Sequence, residues 1–394
     1  MVIKILHIFA PSYKTRFGGQ VFTWKYCFSQ WDNPEIVHYI LDYDLNQCVL
    51  AREAFKFEYT ESQQMTSRWA RILWVFKLFK NIIQYRKKFD ILHVHVLWWG
   101  GLLIGPWARW NGTPALYESV LLDADTPGGI LKEKLGKIKI RCLKSFKGIL
   151  TISEYLSAEY RDFGFSKNQV FTLENCVDLD LFQPAQSGSD KSSLRKKYDL
   201  PLDATTLAFV GSVIHRKGVD LLIQAFIEAS TNNTKLYLLM IGPKSQDENP
   251  SLNQAFVDYL QILLNQSGLI SKASWRGLIQ DREELANLYR AADIFVFPSR
   301  NEGLGNVVLE AMACGLPVVV SRLPVLEGII ADRENGFFVP IGDTEALKNA
   351  ILALAANPPL ALKIGKNARN YVMSHHRFDQ WQAQLVDFYK GLLV

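Results

Sequence analysis

A chain of 394 residues is too long for one comfortable core and suits two domains of ordinary size. Apolar residues make up 48% and charged residues 21%, which excludes a disordered chain and is typical of a soluble globular protein. Five cysteines without CxxC pairs or metal-ligand spacing exclude a disulfide scaffold and favour a reducing compartment. The net charge of +5 arises entirely in residues 1–184.

The N-terminal run MVIKILHIFAPS is apolar but brief, and it lacks the long apolar core and cleavage site of a signal peptide. It predicts a buried strand over residues 2–9, followed by a Pro/Gly loop that ends at Gly18 and Gly19. No window approaches 18 uninterrupted apolar residues, so we expect no transmembrane helix and a cytoplasmic protein.

Residues 68–88 hold seven Lys or Arg, and apolar side chains recur among them at helical spacing. Residues 131–150 repeat this composition with seven bases and one acid. Such helices favour peripheral contact with an anionic membrane, here through 68–88 and 131–149, at the inner face of the cell membrane. Ordinary packed helices with solvated outer faces are the alternative. Nucleic acid is not expected as a partner, because the aromatic residues lie among aliphatic ones.

Short apolar runs at 90–96 and 148–153 alternate with helical stretches, which predicts a parallel sheet wrapped by helices. The segments 96–101 and 117–129 lie where loops of such a domain would emerge. Trp98 and Trp99 either stack on a ligand or fill the core. A Ser- and Gln-rich stretch at 183–193 is the predicted linker.

The second half restarts the alternation with predicted strands at 205–212, 235–242, 293–299 and 316–321, separated by helices. The sequence therefore predicts an α/β fold of two doubly wound, Rossmann-like domains. Ligands of such sheets bind outside the carboxyl ends of the strands, so we expect the site in a cleft between the two domains.

The strand that ends at Gly211 is followed by SVIHRKG and a helix. Arg216 and Lys217 would lie beside the helix start, where free N–H groups and the helix dipole favour an anion. This is the composition of a phosphate subsite; a surface turn with two solvated cations is the alternative.

The segment SRNEGLGNVVLEAMACG, residues 299–315, places Glu302 in a loop and Glu310 in the helix that follows. Gly303 and Gly305 allow the backbone to approach a ligand closely, and the amides at 304 to 307 would point toward an anion. Carboxylates on either side of a diphosphate can accept hydrogen bonds from sugar hydroxyls. The implied ligand is a nucleotide sugar, whereas the alternative is two solvated acids at a helix start.

Three stretches carry a specific resemblance: VGSVIHRKG, the run from ASWRGLIQD to GLPVVVS, and ENGFFVPIGDTEALKNAI. They resemble the retaining glycosyltransferases of family four, which have the GT-B fold of two domains facing each other across a cleft. The resemblance is dense over residues 205–350 and thinner before them. It implies an acceptor-binding domain over 1–183, a donor-binding domain over 184–372, and a last helix, about 373–394, that packs back on the first.

The resemblance implies roles for individual residues. Lys217, with Arg216, would bind the donor diphosphate, Glu310 the ribose, and Glu302 the donor sugar. The catalytic residues would be Glu302, His95 and Lys217, with His95 beside sugar and acceptor. The segments 96–101 and 117–129 would be acceptor loops, in which Trp98 and Trp99 either stack on the acceptor sugar or fill the core. The further donor-binding positions are Gly18, Gly19, Ser212, Gly277, Leu278, Gly303, Leu304, Gly305 and Asn306. His7 and His93 are expected to be core histidines.

Two positions depart from the family pattern. Ser212 stands where many relatives have Arg, so one phosphate contact is missing or is supplied by Arg216. Cys176 stands in NCVD where NGVD is usual, at a turn position that favours glycine.

The implied function is transfer of a hexose or N-acetylhexosamine from a nucleotide diphosphate, such as UDP, to a polysaccharide, lipopolysaccharide or other glycolipid acceptor. The resemblance implies front-face displacement with retention, no metal and no other cofactor. A phosphorylase or sugar-phosphate synthase on the same fold is an alternative enzyme, for which Lys14 and Arg16 are candidate anion ligands. A non-catalytic, membrane-associated sugar-binding partner is the alternative of another class.

Overall fold

The structure is a computed structural model that describes residues 2–9, 19–42, 47–51, 68–95, 99–122, 125–232, 235–249 and 252–394. The chain divides into two compact units. The first comprises Met1–Cys176 together with Phe378–Val394, and the second comprises Val177–Arg377. The change of unit thus follows Cys176, seven positions before the end of the first domain as drawn from the sequence, and the returning segment begins at Phe378.

Within the described residues, the first unit is built on a seven-stranded sheet of order β3-β2-β1-β4-β5-β6-β7. All neighbours are parallel except β2 and β3, which are antiparallel. The strands are β1 (Ile3–Ile8), β2 (Ile36–Asp42), β3 (Gln47–Leu50), β4 (Ile91–His95), β5 (Ala115–Ser119), β6 (Gly148–Thr151) and β7 (Val170–Thr172).

Helices cover both faces of this sheet. In chain order they are α1 (Gly19–Gln30), α2 (Arg68–Tyr85), α3 (Trp99–Leu102), α4 (Ile104–Asn111), α5 (Pro127–Leu131), α6 (Gly136–Leu143) and α7 (Glu154–Asp162), and the C-terminal helix is Phe378–Leu393. Because side chains alternate along a strand, the sheet separates two cores. Leu6 and Val94 belong to the core beneath α2, α4 and α6. Ile5 and Ile91 belong to the core beneath α1 and the C-terminal helix.

The second unit contains a six-stranded parallel sheet of order β10-β9-β8-β11-β12-β13 among the described residues. Its strands are β8 (Thr205–Val210), β9 (Leu236–Ile241), β10 (Ala273–Trp275), β11 (Ile294–Phe297), β12 (Val318–Ser321) and β13 (Phe337–Val339). The central strands are continuous apolar runs because helices cover both faces of a parallel sheet.

The helices of the second unit are α8 (Gly188–Lys197), α9 (Val219–Asn232), α10 (Gln254–Gln266), α11 (Arg282–Ala291), α12 (Asn306–Ala313), α13 (Thr344–Ala355) and α14 (Pro358–His375). Strands β8 and β11 are direct neighbours, with Leu207 paired to Ile294. The loops that follow them, 211–218 and 298–305, therefore leave the same edge of the sheet. None of the helices described is both long and apolar enough to span a bilayer.

The expected α/β fold with two parallel sheets is confirmed, but three local expectations were wrong. Residues 188–193 of the predicted linker form the first part of helix α8, which is capped by Ser187. The cationic stretch 131–150 is not one helix, because Leu135 adopts a left-handed φ of 61° between α5 and α6. Residues 117–119 are buried in strand β5 rather than in an acceptor loop.

Cys176 does not occupy a left-handed turn, since it is absent from the described non-glycine residues with positive φ. Its side chain is buried, and its Sγ lies 3.5 Å from Sγ of Cys27 in helix α1. The side chain that replaces the usual glycine therefore packs into the core of the first unit at the residue where the unit ends.

Candidate functional site

Glu302 lies buried in the loop between β11 and α12 and is surrounded by hydrogen-bond donors. Lys217 Nζ lies 2.7 Å from its Oε1, and Arg216 Nη1 donates to the same oxygen at 3.0 Å. The hydroxyl of Ser299 donates to it at 2.6 Å. Two cations thus meet one carboxylate, which leaves a local excess of one positive charge at the carboxyl edge of the sheet. We call Lys217, Arg216, Ser299 and Glu302 the Glu302 cluster.

The pKa values of the cluster follow from burial and pairing. Burial alone would raise the pKa of Glu302, but Lys217 and Arg216 outweigh it and hold the pKa below its usual value. Burial lowers the pKa of Lys217, and Arg216 adds to that shift while Glu302 opposes it. Lys217 Nζ also lies 4.9 Å from the centre of the Phe297 ring, over which a cation is stabilised.

Close packing of the two loops brings these residues together. Gly218 has a φ of +67°, and a Cβ at this position would lie 1.9 Å from the carbonyl oxygen of Pro298. Only glycine fits there. The carbonyl of Arg216 accepts the backbone N–H of Arg300 at 2.8 Å, and the Arg300 guanidinium forms two bonds to Asp220 in helix α9, at 2.8 and 2.7 Å. The loop after β11 is thereby fixed on the loop after β8.

Sequence analysis did not identify Asn301 as a site residue. Its backbone carbonyl accepts a short hydrogen bond from Arg216. Its side-chain amide oxygen is buried beside Glu302 and has no hydrogen-bond partner. A buried acceptor without a partner is costly, so a ligand donor at this point would be stabilising. The position of Asn301 inside the glycine loop was the available signal.

Helix α12 begins at Asn306, directly after the Glu302 cluster. Gly305 precedes it with a φ of 86°, a left-handed conformation that glycine adopts without strain. Gly303 and Leu304 are buried in the same loop. The positive end of the helix dipole therefore lies at the end of the loop that carries Glu302, and the contacts of residues 303–306 with a donor stay a prediction.

Glu310, predicted to hold the ribose, is buried one turn into α12. Its Oε1 accepts from Arg282 at 2.7 Å and its Oε2 from the Tyr289 hydroxyl at 3.2 Å. Burial would lower the pKa of Arg282, but Glu310 raises it above its usual value. Each carboxylate oxygen keeps a second lone pair, so a ribose contact by Glu310 stays a prediction. The seven-residue spacing of Arg282 and Tyr289, which puts them on one face of α11, was the missed signal.

The other predicted donor positions lie nearby in sequence or on neighbouring strands. Ser212 is half-buried after β8, and its carbonyl accepts the N–H of Ile214 at 2.9 Å. Gly277 follows β10 and has a φ of 73°, and its carbonyl accepts the N–H of Gly242 at 2.8 Å. The next residue, Leu278, is half-buried. Because β8, β9 and β10 are parallel neighbours, these residues share one edge of the sheet.

The predicted residues of the first unit are only partly described. Gly18 and Trp98 lie outside the described residues, as do Lys14 and Arg16. Gly19 is the first residue of α1, and Trp99 begins the short helix α3.

His95 ends strand β4 and is fully buried. Its Nδ1 forms a short hydrogen bond with Oε2 of Glu118, and its Nε2 lies 2.7 Å from Nδ1 of His7. Nε2 of His7 in turn lies 2.7 Å from Nδ1 of His38. Glu118, His95, His7 and His38 therefore form a continuous hydrogen-bonded row, which we call the histidine row. Both ring nitrogens of His95 are bonded within the first unit, and its part in a reaction stays a prediction.

Every hydrogen bond of the histidine row is donated in the same direction, toward Glu118. Trp24 Nε1 donates to both Glu118 oxygens, at 3.0 and 3.1 Å, which favours an ionised carboxylate. His95 Nδ1 then donates to Glu118, and since a neutral imidazole has one donor and one acceptor, the same order repeats through His7 and His38. Burial lowers the pKa of His95 and His7 well below the usual value, and burial with His95 lowers the pKa of His38 to about 3.

His93 completes this group. The prediction that His7 and His93 are core histidines is confirmed, because both are fully buried. His93 Nδ1 lies 2.7 Å from the hydroxyl of Tyr389 in the C-terminal helix, and its ring stacks on that of His95. The alternating spacing of HVH in β4 and the pairing of His95 with Glu118 in β5 put these side chains on one face of the sheet. That alternation could have shown in advance that His93 and His95 share a face, but not which strands lie beside them.

Comparison with known proteins shows a likeness in the second unit. Residues 190–371 match the family model described as glycosyl transferases group 1. The match covers less than half of the chain and lies within its second unit. A D-inositol 3-phosphate glycosyltransferase of Catenulispora acidiphila is 33% identical over 212 residues, 53% of this chain and 47% of that protein. A lipopolysaccharide core biosynthesis mannosyltransferase of Rhizobium leguminosarum is 31% identical over 221 residues, 56% and 59% of the two chains. The chain spans about half the length of the first of these curated relatives.

Solved structures show the fold over the whole chain. Sucrose-phosphate synthase from Thermosynechococcus elongatus matches with a TM-score of 0.74 and 22% identity, covering 99% of both chains. HepE from Anabaena, in complex with UDP and glucose, matches with a TM-score of 0.76 and 17% identity, covering 98% of this chain and 99% of that one. The chain thus shares the fold of these solved structures, which is the GT-B fold that its motifs predicted.

Proposed function

We propose that this chain is a retaining glycosyltransferase that moves a hexose or N-acetylhexosamine from a nucleotide diphosphate sugar to a glycan or glycolipid. The Glu302 cluster is the main support for the proposal. Its two cations exceed its one carboxylate, and they lie at the carboxyl edge of a doubly wound sheet beside a helix N-terminus. Each of these features favours a bound diphosphate.

Donor binding would exchange the partners within the cluster. The diphosphate brings more negative charge than Glu302 and would take over Lys217 and Arg216, which now bond to that carboxylate. Glu302 would then be free to accept hydrogen bonds from the donor sugar, with Ser299 holding its Oε1. A charged pair that is already desolvated needs little reorganisation for this exchange.

The transfer step would rely on the departing diphosphate. Lys217, Arg216 and the start of α12 would stabilise its charge as the bond to the anomeric carbon breaks, while the same phosphate accepts the acceptor's proton on the front face. Retention of configuration follows, with Glu302 as a ligand of the sugar rather than a nucleophile. We propose that no metal ion is required, because these groups already supply the positive charge.

The relatives support the substrate classes. HepE was solved with UDP and glucose, which supports a UDP-linked donor. The Rhizobium relative is a mannosyltransferase of lipopolysaccharide core biosynthesis, which supports an acceptor in a cell-surface glycan or glycolipid.

A donor screen tests the binding half of the proposal. The purified chain is heated with each member of a nucleotide sugar panel, and a ligand of the folded state raises the melting temperature. We expect one base and a narrow set of sugars to do so, and the same shift with the free nucleoside diphosphate. No shift with any member would contradict the assignment of the diphosphate site.

A transfer assay tests the chemical half. The selected donor is incubated with mixed glycolipid acceptors in the presence of EDTA, and we expect release of nucleoside diphosphate together with a product of unchanged anomeric configuration. Binding without turnover would instead favour a non-catalytic sugar-binding protein. An inverted product would overturn the proposed front-face step, and loss of turnover that Mg²⁺ restores would overturn metal independence.

A further inference from the structure

Helix α2 of the first unit has two apolar sides. Trp74, Leu78 and Ile82 are buried in the core beneath it. Its solvent side carries a second stripe of large apolar residues, at 69, 73, 76 and 83, in which Trp69 is 75% exposed and Phe76 is 71% exposed. Their spacing of three and four places them on one helical face, and Lys80 and Lys87 continue the same stripe. An ordinary surface helix shows one apolar side only.

Two neighbouring helices extend this apolar surface. Helices α4 and α6 pack on the same core as α2, and Phe79 of α2 contacts the Trp107 ring of α4. Trp110 at the end of α4 is 84% exposed. Leu135 and Ile138 at the start of α6 are also exposed.

Basic residues are interspersed with these apolar side chains. The exposed cations of the three helices and the turns beside them are Lys77, Lys80, Arg86, Lys87, Lys88, Arg109, Lys132, Lys134, Lys137, Arg141, Lys144 and Lys147. Glu133, which pairs with Lys139, is the acid in the 131–150 stretch. The surface thus combines exposed tryptophan and aliphatic groups with a strong positive charge.

We propose that this docking face, formed by the exposed residues of 68–88, 103–111 and 131–147, binds the surface of an anionic lipid bilayer. Trp69 and Trp110 suit the headgroup region, where an aromatic ring lies between acyl chains and water. Lysines extend their charge toward lipid phosphates while their stems lie along apolar groups. A protein partner would instead favour an interface core depleted of charge. The inference does not depend on the transfer reaction.

The test uses sedimentation of the full chain with vesicles. We expect binding to mixed phosphatidylcholine–phosphatidylglycerol vesicles, weak binding to pure phosphatidylcholine, and loss of binding as salt screens the charges. The double variant Leu73→Glu/Phe76→Glu should weaken partition about tenfold or more, because it replaces apolar contacts by acids facing anionic lipid. Lys80→Ser/Lys87→Ser should weaken binding to the anionic vesicles and reduce its salt dependence.

A matched control comes from the second unit. Leu362 in α14 is as exposed as Trp69, and Leu362→Glu should leave partition unchanged. The melting temperature of each variant and its shift with nucleoside diphosphate report folding separately from lipid binding. Equal binding to both vesicle types, or an equal loss in Leu362→Glu, would overturn the proposal. So would a wild-type dimer that Leu73→Glu/Phe76→Glu dissociates, since the face would then join two copies of the chain.

Discussion

Each unit of the chain holds a buried glutamate near the carboxyl end of a strand, Glu118 in β5 and Glu302 after β11. The two glutamates have different partners. Glu302 in the second unit contacts the basic side chains of Lys217 and Arg216. Glu118 in the first unit contacts His95 and Trp24, and the imidazole is neutral because burial depresses its pKa. One carboxylate is held by cations and the other by neutral donors.

The difference has a physical consequence. Cations that outnumber their carboxylate can transfer to a stronger anion, so the Glu302 cluster suits ligand exchange. Neutral donors that each have one acceptor have no such alternative, and the histidine row is held by its own hydrogen bonds among buried side chains. Buried charge therefore marks the proposed ligand site in one unit, while in the other unit the buried carboxylate belongs to a hydrogen-bonded support.

Replacement of Lys217 should have the largest effect on function. Lys217→Ala removes a cation from the Glu302 cluster, and we expect kcat/KM for transfer to fall about 10²–10³-fold, as for other preorganised charges at a leaving group. Steady-state kinetics with the identified donor measure the loss. The matched control is Lys363→Ala, an exposed lysine in α14 of the same unit, which should keep full activity. Full turnover in Lys217→Ala would remove the main support for the diphosphate site.

Removal of Glu118 should have the largest effect on stability. Glu118→Ala leaves Trp24 Nε1 and His95 Nδ1 buried without their acceptor, and we expect a loss of about 3 kcal/mol in the free energy of unfolding. Urea denaturation measures it. Glu118→Gln keeps one acceptor and should lose less. The exposed Glu133→Ala, which breaks the ion pair with Lys139, should change stability by about 0.5 kcal/mol or less. Equal losses in Glu118→Ala and Glu133→Ala would show that the row is not a rigid support.

Lowering the pH should destabilise the first unit more than the second. The folded row binds protons poorly because burial lowers the pKa of His7, His93 and His95 well below 6.5 and that of His38 to about 3. The unfolded chain binds more protons below pH 6.5, so the stabilisation is full above that pH and declines as pH falls, by up to about 1.4 kcal/mol per pH unit for each histidine. Glu302, with its lowered pKa, contributes stability above its unfolded value and loses it only at lower pH.

Hydrogen exchange measures this separation strand by strand. After correction for the intrinsic exchange rate, the protection free energy of β4 should fall between about pH 7 and pH 5, whereas that of β8 should stay nearly constant. The variant His38→Gln should reduce the pH slope of β4. The same pH slope in both strands would be incompatible with a neutral histidine row confined to the first unit.

The smallest expected effect concerns the support of Glu310. Tyr289→Phe removes the hydroxyl that donates to Glu310 Oε2, and we expect a few-fold increase in the donor KM, or about 1 kcal/mol, with little change in kcat. Tyr371→Phe removes a comparable hydrogen bond, to the carbonyl of Gly328, and should leave the kinetics unchanged. A lower kcat at constant KM would place Tyr289 in the transfer step instead.

Much of the second unit could be predicted because its signals are local. An apolar run, a glycine turn and a helix follow one another within about thirty residues around Lys217 and again around Glu302, so the strands, the loops and the pair of cations are visible in the sequence. Ser299 and Arg300 were not predicted as site residues because their roles depend on contacts with residues that are distant in sequence. Arg300 matters only because its guanidinium reaches Asp220, eighty positions earlier in the chain.

By itself the sequence determined the α/β class, the two-unit organisation and three residues of the Glu302 cluster, Arg216, Lys217 and Glu302, because strand and helix periodicity and glycine turns act over short stretches of chain. Tertiary structure alone decided which strands are neighbours. That order joined His38, His7, His95 and Glu118 from four strands into one row, placed Tyr389 beside His93, and turned a second apolar stripe of α2 toward solvent. Contacts between distant segments depend on strand order and on which face each side chain takes, and neither is encoded in the spacing of residues within one segment.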